Sequence, residues 1–165
     1  MDIAVPRLFW NCEGGMSQTA YQVICRDDCG RMLWDSGKTT GSTMRVPYAG
    51  ESLKSRSRVL WQVRLWDENG QPGDWSEEAF FELGLLNPAD WQGKWITGNY
   101  KVTKKQRYPV DCFRKVFEVG TIRRARLHIT ARGLYEAKRN GHRVGECILA
   151  PGIPDYRKRL QYQSY

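Results

Sequence analysis

Apolar residues recur at every second position along Val59-Leu60-Trp61-Gln62-Val63-Arg64-Leu65-Trp66. Val59, Trp61, Val63 and Leu65 fall on one face, and Gln62 and Arg64 on the other. Side chains of an extended strand point alternately to opposite faces, so this run predicts a half-buried β-strand. The segment Asp67-Glu68-Asn69-Gly70-Gln71-Pro72-Gly73 follows, and its Asn-Gly and Pro-Gly pairs predict a break in the chain. Upstream, Ala20-Tyr21-Gln22-Val23-Ile24-Cys25-Arg26 is rich in strand formers and stops at the turn cluster Asp27-Asp28-Cys29-Gly30. Met32 to Gly37 predicts a further short strand. Trp75-Ser76 with Ala79-Phe80-Phe81-Glu82-Leu83 predicts a closing one.

No stretch sustains a 3.6-residue apolar period, so helices are not expected. Residues 1–86 therefore hold about seven short strands with turns roughly every ten residues, as a small fibronectin-III or immunoglobulin-like β-sandwich requires. Leu85-Leu86-Asn87-Pro88-Ala89-Asp90-Trp91 reads as a joint, and its short apolar character predicts that the flanking units pack together. Beyond it, Phe113 to Val119 predicts one strand. Ala125 to Ala131 predicts another, with Arg126, His128 and Thr130 on its polar face. Tyr135 to Arg139, Asn140-Gly141 and His142 to Glu146 predict a hairpin with a type I′ turn, because both central residues need positive φ. Only about four or five strands fit in residues 90–165, fewer than the eight or so of a full antiparallel sandwich, so this second unit reads as incomplete.

Charge supports the same division. Residues 1–86 carry nine Lys/Arg against twelve Asp/Glu, whereas residues 87–165 carry seventeen against six; the resulting −3 and +11 make up the chain's +8. No run of apolar residues approaches the roughly 20 that a spanning helix needs. The amino terminus shows neither the basic nor the apolar region of a secretory signal, so a cytoplasmic protein is expected. Cys12, Cys25, Cys29, Cys112 and Cys147 are odd in number and scattered, which predicts reduced thiols and no zinc knuckle.

Several words along the chain occur together in one family. They include Leu33-Trp34-Asp35-Ser36-Gly37-Lys38, Pro47-Tyr48-Ala49-Gly50, Trp66-Asp67-Glu68-Asn69-Gly70, Trp75-Ser76 and Phe81-Glu82-Leu83-Gly84-Leu85-Leu86. Later come Asp90-Trp91-Gln92-Gly93-Lys94-Trp95-Ile96, Asn140-Gly141, Ala150-Pro151-Gly152 and Asp155-Tyr156-Arg157-Lys158-Arg159-Leu160-Gln161-Tyr162. In this order and spacing the chain resembles the amino-terminal region of bacterial α-L-rhamnosidases of glycoside hydrolase family 78. The resemblance implies an all-β chain: a fibronectin-III/immunoglobulin-like module over residues 1–86, then the beginning of a jelly-roll-like β-sandwich over residues 90–165. It also implies a catalytic (α/α)₆ barrel outside these residues. Inverting glycosidases hold two carboxyl groups about 6.5–9.5 Å apart around a water. In the family both lie in that barrel, so no catalytic residue carries over and no cofactor is implied. The chain departs from the family at Ala137-Lys138-Arg139, where an apolar position has become basic. It departs again at Ile153, which replaces an indole.

The resemblance offers Tyr135, Asn140, Asp155 and Tyr156 as sugar-facing groups beside a sandwich. Trp61, Trp66, Trp75, Trp91 and Trp95 could stack on pyranose rings. Core packing is the reading for the strand tryptophans, and an inter-domain contact for Trp91 and Trp95. Glu136, Glu146 and Asp155 read as solvated surface groups rather than a catalytic pair. His128 and His142 lack ligand-spaced partners, so no metal is expected. The basic groups Lys101/Lys104/Lys105/Arg107, Arg123-Arg124-Ala125-Arg126 and Arg157-Lys158-Arg159 suit a phosphate backbone, but they are spread over separate segments and no nucleic acid is expected. The first expectation is a non-catalytic accessory part of an α-L-rhamnosidase, with the remainder of the parent chain as partner and rhamnose-containing glycans as possible ligands. The alternative is a stand-alone carbohydrate-binding module. An unpaired edge in the second unit predicts dimerisation, poor solubility or disorder near residues 100–110.

Overall fold

The computed structural model describes residues 2–14, 17–101, 103 and 107–165. Lys104 and Lys105 of the first basic group, and part of the 100–110 segment, lie outside the described residues. The chain divides into two compact units, Met1–Trp95 and Ile96–Tyr165. Apart from one 3₁₀ turn at Pro88–Asp90, all regular structure among the described residues is β, and every ladder is antiparallel. Among these residues no helix is long and apolar enough to cross a membrane.

The first unit is an immunoglobulin-like sandwich. Its strands are β1 (Arg7–Phe9), β2 (Ala20–Asp27), β3 (Met32–Asp35), β4 (Thr39–Thr40), β5 (Arg45–Pro47), β6 (Arg58–Trp66), β7 (Pro72–Trp75) and β8 (Ala79–Glu82). One sheet runs β3-β2-β6-β7, with β4 also on β2 and β8 also on β6, and β1–β5 form the other. The central pair is in register from Ala20↔Trp66 to Asp27↔Val59. The alternation read along β6 holds: Val59 and Val63 are buried, and Trp61 and Leu65 pack against them. Tyr21, Val23 and Cys25 of β2 meet them from the neighbouring strand, and Leu8 and Val46 come from the second sheet. Val23, Val59 and Cys25 are the largest fully buried side chains.

Two five-residue turns of one design close the β2–β3 and β6–β7 hairpins. Asp27 Oδ1 accepts the amides of Cys29 and Arg31, each at 2.9 Å. Asp67 Oδ1 accepts those of Asn69 (2.9 Å) and Gln71 (2.7 Å). Gly30 and Gly70 each donate back to their Asp carbonyl, at 3.0 and 3.1 Å, with φ of +85° and +74° that glycine adopts without steric cost. Such local bonding by Asp is what makes it a turn former. One expectation needs correction here. Pro72-Gly73, read as part of the break, opens β7 instead, and proline is tolerated there because β7 is an edge strand paired only with β6.

Burial pushes the Cys25 thiol up to about 12, which removes the thiolate that reacts. In native chain treated with an alkylating reagent at pH 8, exposed Cys29, Cys112 and Cys147 should modify and Cys25 should not. Peptide mapping before and after urea checks this; native labelling of Cys25 would contradict it.

Among its described residues the second unit contains two ladders of two residues each and one isolated bridge. β9 (His128–Ile129) pairs with β12 (Gln163–Ser164), extended by mutual Leu127–Tyr165 amide bonds of 2.9 and 3.0 Å. β10 (Lys138–Arg139) pairs with β11 (His142–Arg143) across Asn140 (φ +50°) and Gly141 (φ +84°), the two-residue turn read from the sequence. Tyr135 bridges to Ala150. The strand predicted over Phe113 to Val119 is not formed: Val116 and Phe117 are 72% and 70% exposed, and no described segment pairs with them. A strand former without a ladder partner satisfies its backbone with water and stays irregular. The strand read over Ala125 to Ala131 shortens to β9 for the same reason.

Candidate functional site

On the outer face of the large sheet, the Arg64 guanidinium lies 4.9 Å from the Trp66 ring centre and 4.7 Å from that of Trp75. Its Nη2 donates to Gln22 Oε1 at 2.8 Å, and Gln22 Nε2 donates to Asp35 Oδ1 at 2.8 Å. Lys38 Nζ also sits 4.9 Å from the Trp66 ring centre. Trp66 and Trp61 are five positions apart on one strand and so face opposite ways. Trp61 packs on the core, whereas Trp66, itself buried, and Trp75 serve as π-surfaces for cations. Trp66, buried and with two cations against its ring, offers no open platform for a sugar. Trp95 is 59% exposed.

The acidic groups are engaged locally. Asp27, Asp28 and Cys29 place three ligand-type atoms within 4.8 Å of one another. However, Asp27 is already committed to two turn amides and to Arg31 Nε at 3.1 Å. The Arg31 amide, foremost, holds the Asp27 carboxyl below its usual range. Asp90 is also lowered, mainly by the Ser55 hydroxyl. A groove of about 280 Å³ opens beside β6 and β7, rimmed by Asn11, Glu13, Gln18, Gln71 and Asp74. Gln18 is spent on the frame, accepting from Trp10 Nε1 at 2.9 Å and donating to the Gly41 and Thr43 carbonyls.

The four sugar-facing candidates of the second unit are held by separate partners. Tyr135 donates its amide to the Ala150 carbonyl at 2.8 Å, and its hydroxyl lies 3.3 Å from that of Tyr165. Desolvation raises the Tyr135 phenol well above its ordinary value. Tyr156 Oη accepts the Gly133 amide at 2.8 Å. Asp155 Oδ1 takes the Arg157 amide at 3.1 Å and Arg157 Nε at 3.3 Å. Asn140 stands at the exposed tip of the β10–β11 turn. Tyr135, Asp155 and Tyr156 thus each bond to a partner outside the four. Glu136 pairs with Lys138 at 3.2 Å, and His128 Nδ1 lies 2.7 Å from Ser164 Oγ. The Tyr165 partner of Tyr135 had no signal in the sequence, because thirty residues separate the two.

The profile described as the Rha78A-like, N-terminal immunoglobulin domain matches residues 1–87, more than half of the chain. The chain belongs to this rhamnosidase family. A second profile, the α-L-rhamnosidase N-terminal domain, matches residues 120–165 of the same rhamnosidase-type chain. An α-L-rhamnosidase of Formosa agariphila is 36% identical over 178 aligned positions, covering 98% of this chain but 19% of that protein. The solved α-L-rhamnosidase of Dictyoglumus thermophilum is 32% identical with a TM-score of 0.76, covering 100% of this chain and 21% of that one. The Streptomyces avermitilis α-L-rhamnosidase, solved in complex with L-rhamnose, is 39% identical with a TM-score of 0.53, over 59% of this chain and 10% of that one. The chain thus spans about a fifth or less of the length of the rhamnosidases it matches.

Proposed function

We propose that this chain is a non-catalytic accessory part of an α-L-rhamnosidase, whose role is to brace a catalytic domain carried elsewhere in the parent protein and to shape the approach of terminal rhamnose. The observation that carries the reading is the pairing of two rhamnosidase amino-terminal profiles with a match to only about a fifth or less of the length of each relative. The chemistry of the carboxylates supports it. A glycosidase acid needs a raised carboxyl, held in the protonated form near neutral pH. Asp27 and Asp90 are both lowered, the opposite direction to such an acid, and Glu136 and Asp155 are occupied by neighbouring cations. Incubating the purified chain with p-nitrophenyl-α-L-rhamnoside should release no p-nitrophenol above a buffer blank. Turnover that co-elutes with the chain through two chromatographic steps would overturn the reading.

A further inference from the structure

The chain leaving β8 does not swing free of the first sandwich. Leu83 donates its amide to the Ser57 carbonyl at 2.9 Å, and the Arg56 amide donates to Gly84 at 3.0 Å. Ser55 Oγ then accepts the Leu86 amide at 2.7 Å and donates to the Asp90 carboxylate. That carboxylate also accepts the Asn87 amide at 3.1 Å and Asn87 Nδ2 at 3.4 Å. Arg56 Nη2 donates to the Asp90 carbonyl at 3.0 Å. Arg56 reaches it from a backbone at φ +67°, a conformation that a non-glycine residue holds only when its surroundings enforce it. The strap itself is stiffened from within: Asn87, held extended before Pro88, precedes a 3₁₀ turn closed by Asp90 N–H to the Asn87 carbonyl (3.0 Å) and Trp91 N–H to that of Pro88 (3.2 Å).

We propose that Asp90 is a positioning residue: with Ser55 and Arg56 it clamps the Leu86–Trp91 strap onto the 54–57 turn, so that the chain leaves the first sandwich along a fixed line. The clamp reaches past residue 87, where the immunoglobulin-domain profile ends, and so assigns the strap to the first unit as a rigid strut rather than a tether. It is independent of the proposed accessory role, because every group in it belongs to residues 54–91.

Amide hydrogen exchange on the full chain tests it. In Asp90→Ala and Ser55→Ala the Leu86 and Asn87 amides should exchange at least tenfold faster than in the parent. Val23 and Val59 in the core should keep their protection. Asp90→Asn retains an oxygen acceptor and should restore most of the protection lost in Asp90→Ala, a rescue that general loosening would not produce. Unchanged protection of Leu86 and Asn87 in Ser55→Ala, or free exchange of both in the parent, would overturn the proposal. Should Asp90→Ala also expose the core amides, Ser55→Ala decides, since it deletes a single hydroxyl.

Discussion

Replacing Phe81 by Ala should lower the stability of the first sandwich by about 3–5 kcal/mol, the usual result of emptying an aromatic site in a core. Phe81 lies on the inward face of β8, paired directly with fully buried Val59. Its ring meets that of Tyr48 edge-on, with centroids 6.4 Å apart, and Tyr48 in turn meets Trp34 at 5.6 Å. Truncation therefore removes buried area and one member of an aromatic chain, and the wall around it is β-sheet that cannot collapse inward. Urea unfolding followed by tryptophan fluorescence should show a midpoint well below the parent's at an unchanged slope. The neighbouring Phe80→Ala is the control. Phe80 is 57% exposed, beneath Arg58 at 4.1 Å, and its loss should cost about 1 kcal/mol or less. Equal midpoints for the two variants would mean that the two faces of β8 have been assigned the wrong way round.

Gly50→Ala carries the second large effect, through space rather than backbone conformation. A Cβ at this position would stand 2.5 Å from the Leu33 carbonyl oxygen, 2.5 Å from Trp34 Cβ and 2.6 Å from Tyr48 Oη. The first two belong to β3 and cannot swing aside. Leu33 O also accepts the Glu51 amide at 3.1 Å, and Tyr48 Oη donates to the Glu51 carbonyl at 3.0 Å, so any shift disturbs two further bonds. Overpacking of this kind costs about 1–3 kcal/mol. In a domain of this size that lowers the melting temperature by roughly 4–8 °C for each kcal/mol. Gly120→Ala, whose added methyl would meet nothing within 4 Å, should leave the melting temperature where it was. A Gly50→Ala melt that matches it would show that the 48–51 turn is not packed as described.

The sequence was most informative where one strand could be read by itself. The period-two pattern of β6 named its inward residues before any partner was known, and Asn140-Gly141 identified a turn whose need for positive φ is local. Strands of two or three residues, such as Arg7–Phe9 and Thr39–Thr40, are too short to show a period, and only their ladders define them. The Asp-x-x-Gly-x spacing shared by residues 27–31 and 67–71 was present in the sequence and would have predicted both hairpin turns as one design. Phe113 to Val119 misled for the opposite reason: strand propensity describes fitness for a pleated surface, and it cannot supply the neighbouring strand. The site was less legible than the fold. Ser55 and Asp90 are 35 residues apart, and nothing in a linear pattern connects a serine in one turn to an aspartate in another. Tyr135, Asn140, Asp155 and Tyr156 rest on resemblance to a sandwich beside a sugar pocket, and a linear pattern does not separate residues that shape turns from residues that touch ligand.

The two units differ sharply in how much they withdraw from water. Among the described residues, the buried apolar side chains lie before residue 84, except Ala150 and Pro151. The heat-capacity increment of unfolding arises from newly wetted apolar surface. On thermal denaturation the 165-residue polypeptide should therefore give the calorimetric signature of a much smaller one, with its cooperative transition belonging to the first sandwich and the remainder contributing a shallow, broad slope.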